Sequence, residues 1–443
     1  MAKMLTVKLT QQTPMIHFQF AEPRAVIRGS ELKPKLDRFL IEQMGGLNKA
    51  VLDHGDWFIQ DHVFTLFRKS LEENPHAQCG GRLALDYKVR ITTGGEPEIS
   101  LEIGKSFFGY TQEDRQELRN HGSNISIKTV EYRPDRVFLT VCSRHDSLIE
   151  YVSEEHSKRL ELFFLLNNFG TRQTKGFGSF TVGGRGFHPK PDDLIREYYQ
   201  QFMKGLQAYE LTPNNARGDP LQWIWVTYGL MKSGFNLPAG GNRRDYYKGF
   251  LLTYLYREGR TDRNDKAFIK QQLLADEYVP GIDRRGNGEE YVFVRALLGL
   301  ATQSDWYSAG EGRSWRHGSP TVTVSAEDPE IARIPSPILF SVADEKRVFM
   351  LPRRIPSAVF SKDFSVTYKT RYPSPDPPRT KTISTPQQDD FELSAFLHDF
   401  AVRFNDKRTP WWEKEGQGEE ERSLNQAQNI EISPAQTLKL DPL

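Results

Sequence analysis

Apolar and polar residues alternate from Leu5 to Thr10, with Leu5, Val7 and Leu9 on one side. That is the period of a strand buried on one face, and Thr13-Pro14 ends it. Leu32, Leu36, Phe39 and Leu40 then recur at helical spacing, with Ser30 and Pro34 near the first turn as a helix start. From Leu83 to Ile103 the pattern returns to strands, Asp86 to Ile91 being broken by Thr93-Gly94-Gly95-Glu96-Pro97, a hairpin signal. Val137 to Cys142 is a third extended run, and Leu148 to Leu166 predicts one helix, charged first and apolar later, stopped by Asn168-Phe169-Gly170.

This β-α-β-β-α-β order predicts an α+β, ferredoxin-like (RRM-like) core over residues 1–190. Residues 191–285 carry helical stretches rich in Tyr and Trp and predict a helical insertion. Over 286–405, apolar character at Tyr291–Leu300, Pro337–Val342 and Arg347–Leu351 predicts either a second, tandem ferredoxin-like half or completion of the first core. Phe391–Phe404 predicts a helix with one apolar stripe. The Pro-, Ser- and Thr-rich Tyr372–Pro386 predicts a solvated loop, and the polar, acidic segment 406–443 predicts a disordered tail.

Composition narrows the function classes. The 443 residues hold 59 Lys+Arg against 58 Asp+Glu, a net charge of +1, which excludes a uniformly basic nucleic-acid coat and an acidic solvating chain. A mean hydropathy of -0.60 and no apolar run of about 20 residues give no signal peptide or membrane span, so a cytoplasmic protein without membrane contact is expected. Two cysteines, Cys79 and Cys142, allow at most one disulfide and no four-cysteine zinc site.

The stretch Phe169-Gly170-Thr171-Arg172-Gln173-Thr174-Lys175-Gly176-Phe177-Gly178-Ser179-Phe180 carries the most chemistry. Its glycines let backbone N–H groups approach a phosphate, Arg172 and Lys175 can neutralise it, and Phe177 offers a face to a base. The spacing is neither a P-loop nor a dinucleotide-binding fingerprint, and a tight hairpin with scattered charges is the competing reading. His54, His62, Asp53, Asp56 and Asp61 fit no standard metal spacing, so a solvated helix or loop is expected there and no metal or cofactor is expected. Trp223, Trp225, Tyr228, Tyr246, Tyr247, Tyr254 and Tyr256 suit an aromatic core of the insertion, while Arg243-Arg244 beside them would also stack on nucleotides.

The glycine-rich loop resembles the signature of the RAMP (repeat-associated mysterious protein) superfamily, the RNA-binding subunits of CRISPR effector complexes. Leu9-Thr10-Gln11-Gln12-Thr13-Pro14-Met15-Ile16-His17 is similar to that family's opening strand and Thr-Pro turn, and Ile27–Arg38 to its helix start. Val294-Arg295-Ala296-Leu297-Leu298-Gly299-Leu300 and Ile334-Pro335-Ser336-Pro337-Ile338-Leu339-Phe340 look like the return found in the first and sixth subunits of the type III-B, Cmr-type complex.

The resemblance implies a multi-subunit antiviral ribonucleoprotein, with CRISPR guide RNA, its target RNA and other RAMP subunits as partners. It implies that the helix start and loop lie along the RNA, making Arg24, Arg28, Lys33, Lys35, Arg172, Lys175, Gly176, Phe177 and Gly178 the expected RNA-binding residues. In subunits of this family that cut target RNA, an aspartate sits in the loop after the Thr-Pro turn; here that loop holds only Glu22 as a carboxylate, which implies a non-cleaving subunit with no catalytic residue. The alternative is a metal-independent guide-processing endoribonuclease using His17 as its base. A third reading docks protein partners on the aromatic insertion.

Overall fold

The computed structural model describes residues 3–16, 26–103, 126–134, 136–153, 158–183, 190–213, 219–238, 244–247, 249–257, 264–273, 291–300, 303–305, 321–328, 331, 334–369, 379–406 and 430–434. The chain divides into two compact units: Met1–Tyr198 with Phe340–Phe349, and Tyr199–Leu339 with Met350–Leu443.

The first unit begins with β1 (Lys3–Gln11) and the short β2 (Met15–Ile16). Helices α1 (Gly29–Gln43), α2 (Leu47–His54) and α3 (His62–Glu73) follow. Then come β3 (Tyr87–Thr93), β4 (Glu98–Ile103), β5 (Ser126–Glu131) and β6 (Val137–Ser143). Helices α4 (Asp146–Ser153) and α5 (Lys158–Leu165) lead to β7 (Phe180–Gly183) and α6 (Pro191–Phe202). The single helix expected over 148–166 is thus two, residues 154–157 lying outside the described residues.

Four strands form one antiparallel sheet in the order β3-β6-β1-β7. Val7 and Leu9 of β1 and Val137, Leu139 and Val141 of β6 are buried, while Lys8 points the other way, as period-two alternation requires. Helices cover the apolar face: α1 packs on β3, α4 on β1 and β6, and α5 on β7. Phe163, Phe164, Phe169 and Phe180 are fully buried beneath it, each contributing roughly 1.5–3 kcal/mol by leaving water.

The turn signal at Thr93–Pro97 corrects an expectation. β3 and β4 do not pair with each other; β3 pairs with β6 and β4 with β5. Residues 87–103 and 126–143 are therefore two arms of one long antiparallel ribbon, and the glycines mark its interruption, where the Gly94 N–H donates to the Arg136 carbonyl at 2.7 Å. β2 pairs with β5 and completes the outer sheet.

The second unit holds β8 (Tyr209–Pro213), α7 (Pro220–Lys232), β9 (Phe235–Pro238), β10 (Arg244–Tyr247), α8 (Phe250–Arg257) and the single turn α9 (Asp265–Phe268). The segment expected to be a helical insertion thus interleaves helices with strands. Trp223 and Tyr254 are buried, so these aromatics do build a core; the side chains of Tyr246, Tyr247 and Tyr256 lie outside the described residues, as does Arg243. A 3-10 turn follows at Val294–Leu298, then β11 (Gln303–Asp305) and β12 (Thr321–Ala326). A hairpin of β13 (Ile338–Asp344) and β14 (Arg347–Pro352) has its tip in the first unit. β15 (Asp363–Lys369), β16 (Arg379–Ser384), α10 (Leu393–Asn405) and β17 (Ile430–Pro434) close the order.

Two further expectations change here. Six residues of the supposed solvated loop, Arg379–Ser384, are the outer strand of the sheet β11-β12-β15-β16. Its exposed Thr380, Lys381 and Thr382 gave the segment its loop-like polarity. Within the tail expected to be disordered, Ile430–Pro434 pairs antiparallel with β8. The apolar stripe of α10 is as read: Phe396, Leu397, Phe400 and Phe404 are buried.

Candidate nucleic-acid interface

The glycine-rich loop connects α5 to β7, and the Thr-Pro turn lies against it. Thr13 Oγ1 donates to the Gly176 carbonyl at 2.6 Å and accepts from the Ser179 N–H at 3.0 Å. The Gly178 N–H donates to the Pro14 carbonyl and the Thr171 N–H to the Ile16 carbonyl. Gly178, at φ 69°, has to be glycine: a Cβ there would sit 2.0 Å from the Phe169 carbonyl oxygen. Gly170, at φ 82°, would press a Cβ to 2.7 Å from the Ile16 carbonyl oxygen.

The start of α1 reaches the same loop. Arg28, not Ser30, is the residue before its first turn, and no side chain caps it. Glu31 in that first turn instead accepts the Gly170 N–H at 3.1 Å and the Gln173 amide at 2.7 Å. Lys35 donates to Glu31 at 3.0 Å, to the Asn168 carbonyl at 2.7 Å and to Gln173 Oε1 at 2.8 Å, and stands 4.7 Å from the Phe169 ring centroid. Beneath them Asn168 is buried; its amide donates to the Gln173 and Phe340 carbonyls, and its Oδ1 accepts from Ser179 Oγ. Three motifs far apart in sequence thus form one hydrogen-bonded assembly.

Several expected RNA-binding residues prove to be parts of that assembly. All three ammonium donors of Lys35 are engaged internally. Lys33 bonds Asp37 at 2.8 Å and the Leu85 carbonyl at 2.9 Å, over the Tyr87 ring. Burial raises the Asp37 carboxyl above its ordinary value, an effect that Lys33 opposes, and burial lifts the neighbouring Tyr87 hydroxyl as well. Phe177 is 3% exposed, so it packs inward and offers no face to a base. Gly176, also buried, and Gly178 shape the turn by their positive φ.

Arg28 and Arg172 remain at the surface, half-buried, on the two segments that Glu31 joins. Arg172 itself holds a left-handed φ of 60°, a conformation rare outside glycine and most often kept where function needs it. The Lys175 ammonium nitrogen is shielded from solvent. Arg24, Glu22 and His17 lie outside the described residues.

The residues that sequence reading missed are Glu31, Asn168 and Gln173. Only Glu31 left a signal: Glu31/Lys35 and Lys33/Asp37 are opposite charges four apart on one helix, the spacing at which they pair. The histidine and aspartate group has separate roles, with Asp53 bonded to Lys49, Asp61 capping α3 through the Phe64 N–H, and His54 stacked 4.1 Å from Trp57.

The fourth motif closes in the second unit. Gly299, at φ 102°, lies so near Ser336 that a Cβ would approach its Cα to 3.1 Å, and the Leu300 N–H donates to the Ile334 carbonyl. Tyr228 donates to the Leu298 carbonyl at 2.7 Å, and Lys232 to the Leu298 and Gly299 carbonyls. Burial, with the Arg295 charge beside it, brings the Lys232 ammonium down to about 7 despite the opposing pull of Asp265.

The fold and this assembly define an α+β protein organised around a glycine-rich loop, a Thr-Pro turn and a following helix start. The Cmr1 N-terminal domain family matches residues 2–235, and the Cmr1 C-terminal domain family matches residues 246–423. The chain belongs to the Cmr1 family and is a RAMP subunit of a type III CRISPR effector complex. No curated protein matches it. No helix among the described residues is long and apolar enough to cross a membrane.

Proposed function

We propose that the chain is a non-catalytic subunit that holds single-stranded CRISPR guide RNA, alone and in its duplex with target RNA, through backbone contacts beside neighbouring RAMP subunits. The supporting observation is the convergence of the Thr-Pro turn, the α1 start and the glycine-rich loop, with Arg28 and Arg172 on adjoining segments of the assembly. The strand order β3-β6-β1-β7, reached through strand, helix, strand, strand, helix, strand, supports a ferredoxin-like core over residues 1–190. Phosphate contacts position RNA without identifying its bases, so the reading gives affinity with little sequence preference. The carboxylate content of the loop after the Thr-Pro turn, Glu22 alone, supports a positioning role in place of target cleavage.

The test is a labelled single-stranded RNA run with the full chain on native and denaturing gels across a salt series. Binding that weakens steeply with salt, RNA that stays intact, and a salt slope reduced by about 1.4 in the Arg28→Gln/Arg172→Gln variant support the reading, at about 0.7 per lost phosphate contact. Affinity indifferent to salt overturns the phosphate-contact mechanism. Cleavage that survives a chelator and disappears in His17→Ala overturns the non-catalytic role in favour of an endoribonuclease.

A further inference from the structure

Among the described residues, the helices that pack on the four-stranded sheet of the first unit lie on the face that buries Val7, Leu9, Val137, Leu139 and Val141. The register fixes what stands on the other. Lys88, Cys142 and Met4 form one row across β3, β6 and β1; Arg90, Thr140 and Thr6 the next; Thr92, Phe138 and Lys8 the third. Met4 is 66% exposed, Lys8, Lys88 and Arg90 are exposed, and Phe138 is half-buried on the central strand β6. Across these three rows there are three bases and no acid. Thr6 and Thr140 face each other in the middle row, hydroxyl to hydroxyl at 3.1 Å.

We propose that this open face, centred on Phe138 with Lys8, Lys88 and Arg90 around it, is a second platform for single-stranded RNA, separate from the glycine-rich loop. It shares its ligand class with the function proposed above and rests on that reading for its biological partner. Three physical points select RNA over other occupants. Phe138 is half exposed at the centre of an antiparallel sheet, and an aromatic ring in such a place can stack on any base without sequence preference. Lys88 and Arg90 lie two residues apart on the same side of one strand, about 6.6 Å along it, the scale of a nucleotide step in an extended chain. Lys8 stands directly opposite Phe138 on β1, and Arg90 stands diagonal to it on β3, beside Thr92, so cations flank the ring on both neighbouring strands.

The experiment measures fluorescence anisotropy of a labelled oligouridylate with the full chain across a salt series. Three variants are compared: Phe138→Ala, Lys88→Gln/Arg90→Gln and Arg172→Gln. The platform predicts about five- to tenfold weaker binding for Phe138→Ala, with Phe138→Tyr binding like the parent because its ring still stacks. It predicts that the Lys88/Arg90 variant lowers the salt slope by about 1.4 at unchanged thermal stability. Phe138→Leu, which keeps apolar bulk without a ring, replaces the alanine variant if that one unfolds.

Normal binding by the Phe138 and Lys88/Arg90 variants alongside weakened binding by Arg172→Gln overturns the platform and leaves the loop reading standing. The reverse pattern upholds the platform and sinks the loop. Should the Lys88/Arg90 variant lose polyglutamate as readily as RNA while Phe138→Ala and Phe138→Leu bind RNA normally, the face is a charged surface for an acidic protein and the proposal is wrong.

Discussion

Two turns, one in each unit, are built on the same plan with one difference. In the first, Lys35 holds the glycine-rich loop by its Asn168 carbonyl; in the second, Lys232 holds the Leu298-Gly299 turn by its two carbonyls. Each lysine is beside an aromatic ring, Phe169 at 4.7 Å and Tyr228 at 5.7 Å. Lys35 has the Glu31 carboxylate at 3.0 Å, whereas the carboxylate near Lys232, Asp265, is already bonded to Arg295. The consequence follows from desolvation: an ammonium taken from water keeps its charge when a counter-ion comes with it and moves toward neutrality when one does not. The first turn is held by an ion pair. The second is held by a lysine that titrates near pH 7.

The hardest break in the first turn is Gly178→Ala. Its φ of 69° and the 2.0 Å approach to the Phe169 carbonyl oxygen leave no room for a side chain, so the hydrogen bond from the Phe169 N–H to the Gly178 carbonyl, 3.0 Å long, must come apart. A strained backbone position alone costs roughly 1–3 kcal/mol, and the clash adds to it. Chemical denaturation should show a loss of at least that size, and an unchanged midpoint would mean the loop is not the rigid element described.

Glu31→Gln tests the counter-ion directly. The amide still accepts a hydrogen bond but carries no charge, leaving Lys35 with a carbonyl and an amide oxygen. Because both side chains keep about a quarter of their exposure or less, the expected loss is about 1–3 kcal/mol, below that of a fully buried broken pair. Lys35→Met with Glu31→Gln should recover part of it, and the double-mutant cycle measures the coupling.

The second turn gives a pH signature instead. The folded value of Lys232 lies near 7, below the 10.5 of the unfolded chain, so the unfolded state binds more protons between the two. Stability should therefore rise as pH climbs from about 7 toward 9, and be lost as pH falls back, by at most about 1.4 kcal/mol per pH unit. Tyr228, whose hydroxyl is raised by burial, and Tyr209, pushed up to about 12, titrate above this window. Lys232→Met should flatten the slope. A parent protein whose melting temperature is level from pH 7 to 9 would show that Asp265 and the turn carbonyls hold the ammonium charged against burial and the Arg295 charge.

The contrast also shows what was legible beforehand. The alternation of β1 and the stripe of α10 were readable because burial on one face imposes a period that composition cannot hide. Thr93–Pro97 misled because glycine and proline mark any interruption of a strand, a bent ribbon as well as a hairpin. Arg379–Ser384 misled because the exposed residues of an outer strand resemble a loop. At the site, the sequence showed basic residues beside a glycine-rich loop but not their partners. Lys33 and Lys35 looked like a phosphate-facing cluster, and only the i,i+4 carboxylates Asp37 and Glu31 hinted that their charges were met within the protein. Asn168 and Gln173 were invisible, since an amide's role depends on which carbonyls the fold brings to it.

The smallest expected effect is also the most discriminating. Arg172 occupies a left-handed conformation that costs an L-residue roughly 1–2 kcal/mol and glycine almost nothing. If Arg172 is there only to complete the turn, Arg172→Gly should raise stability by up to about 1 kcal/mol, after the extra chain entropy of glycine is subtracted, and leave RNA affinity alone. If the turn is strained in order to present a guanidinium to phosphate, the same substitution should stabilise the fold while weakening RNA binding and shortening its salt slope, the opposed pair of changes that marks strain kept for function. Arg172→Asn separates the two effects further, since asparagine tolerates the left-handed conformation and carries no charge, so its stability should approach that of the glycine variant and its RNA affinity should fall with it.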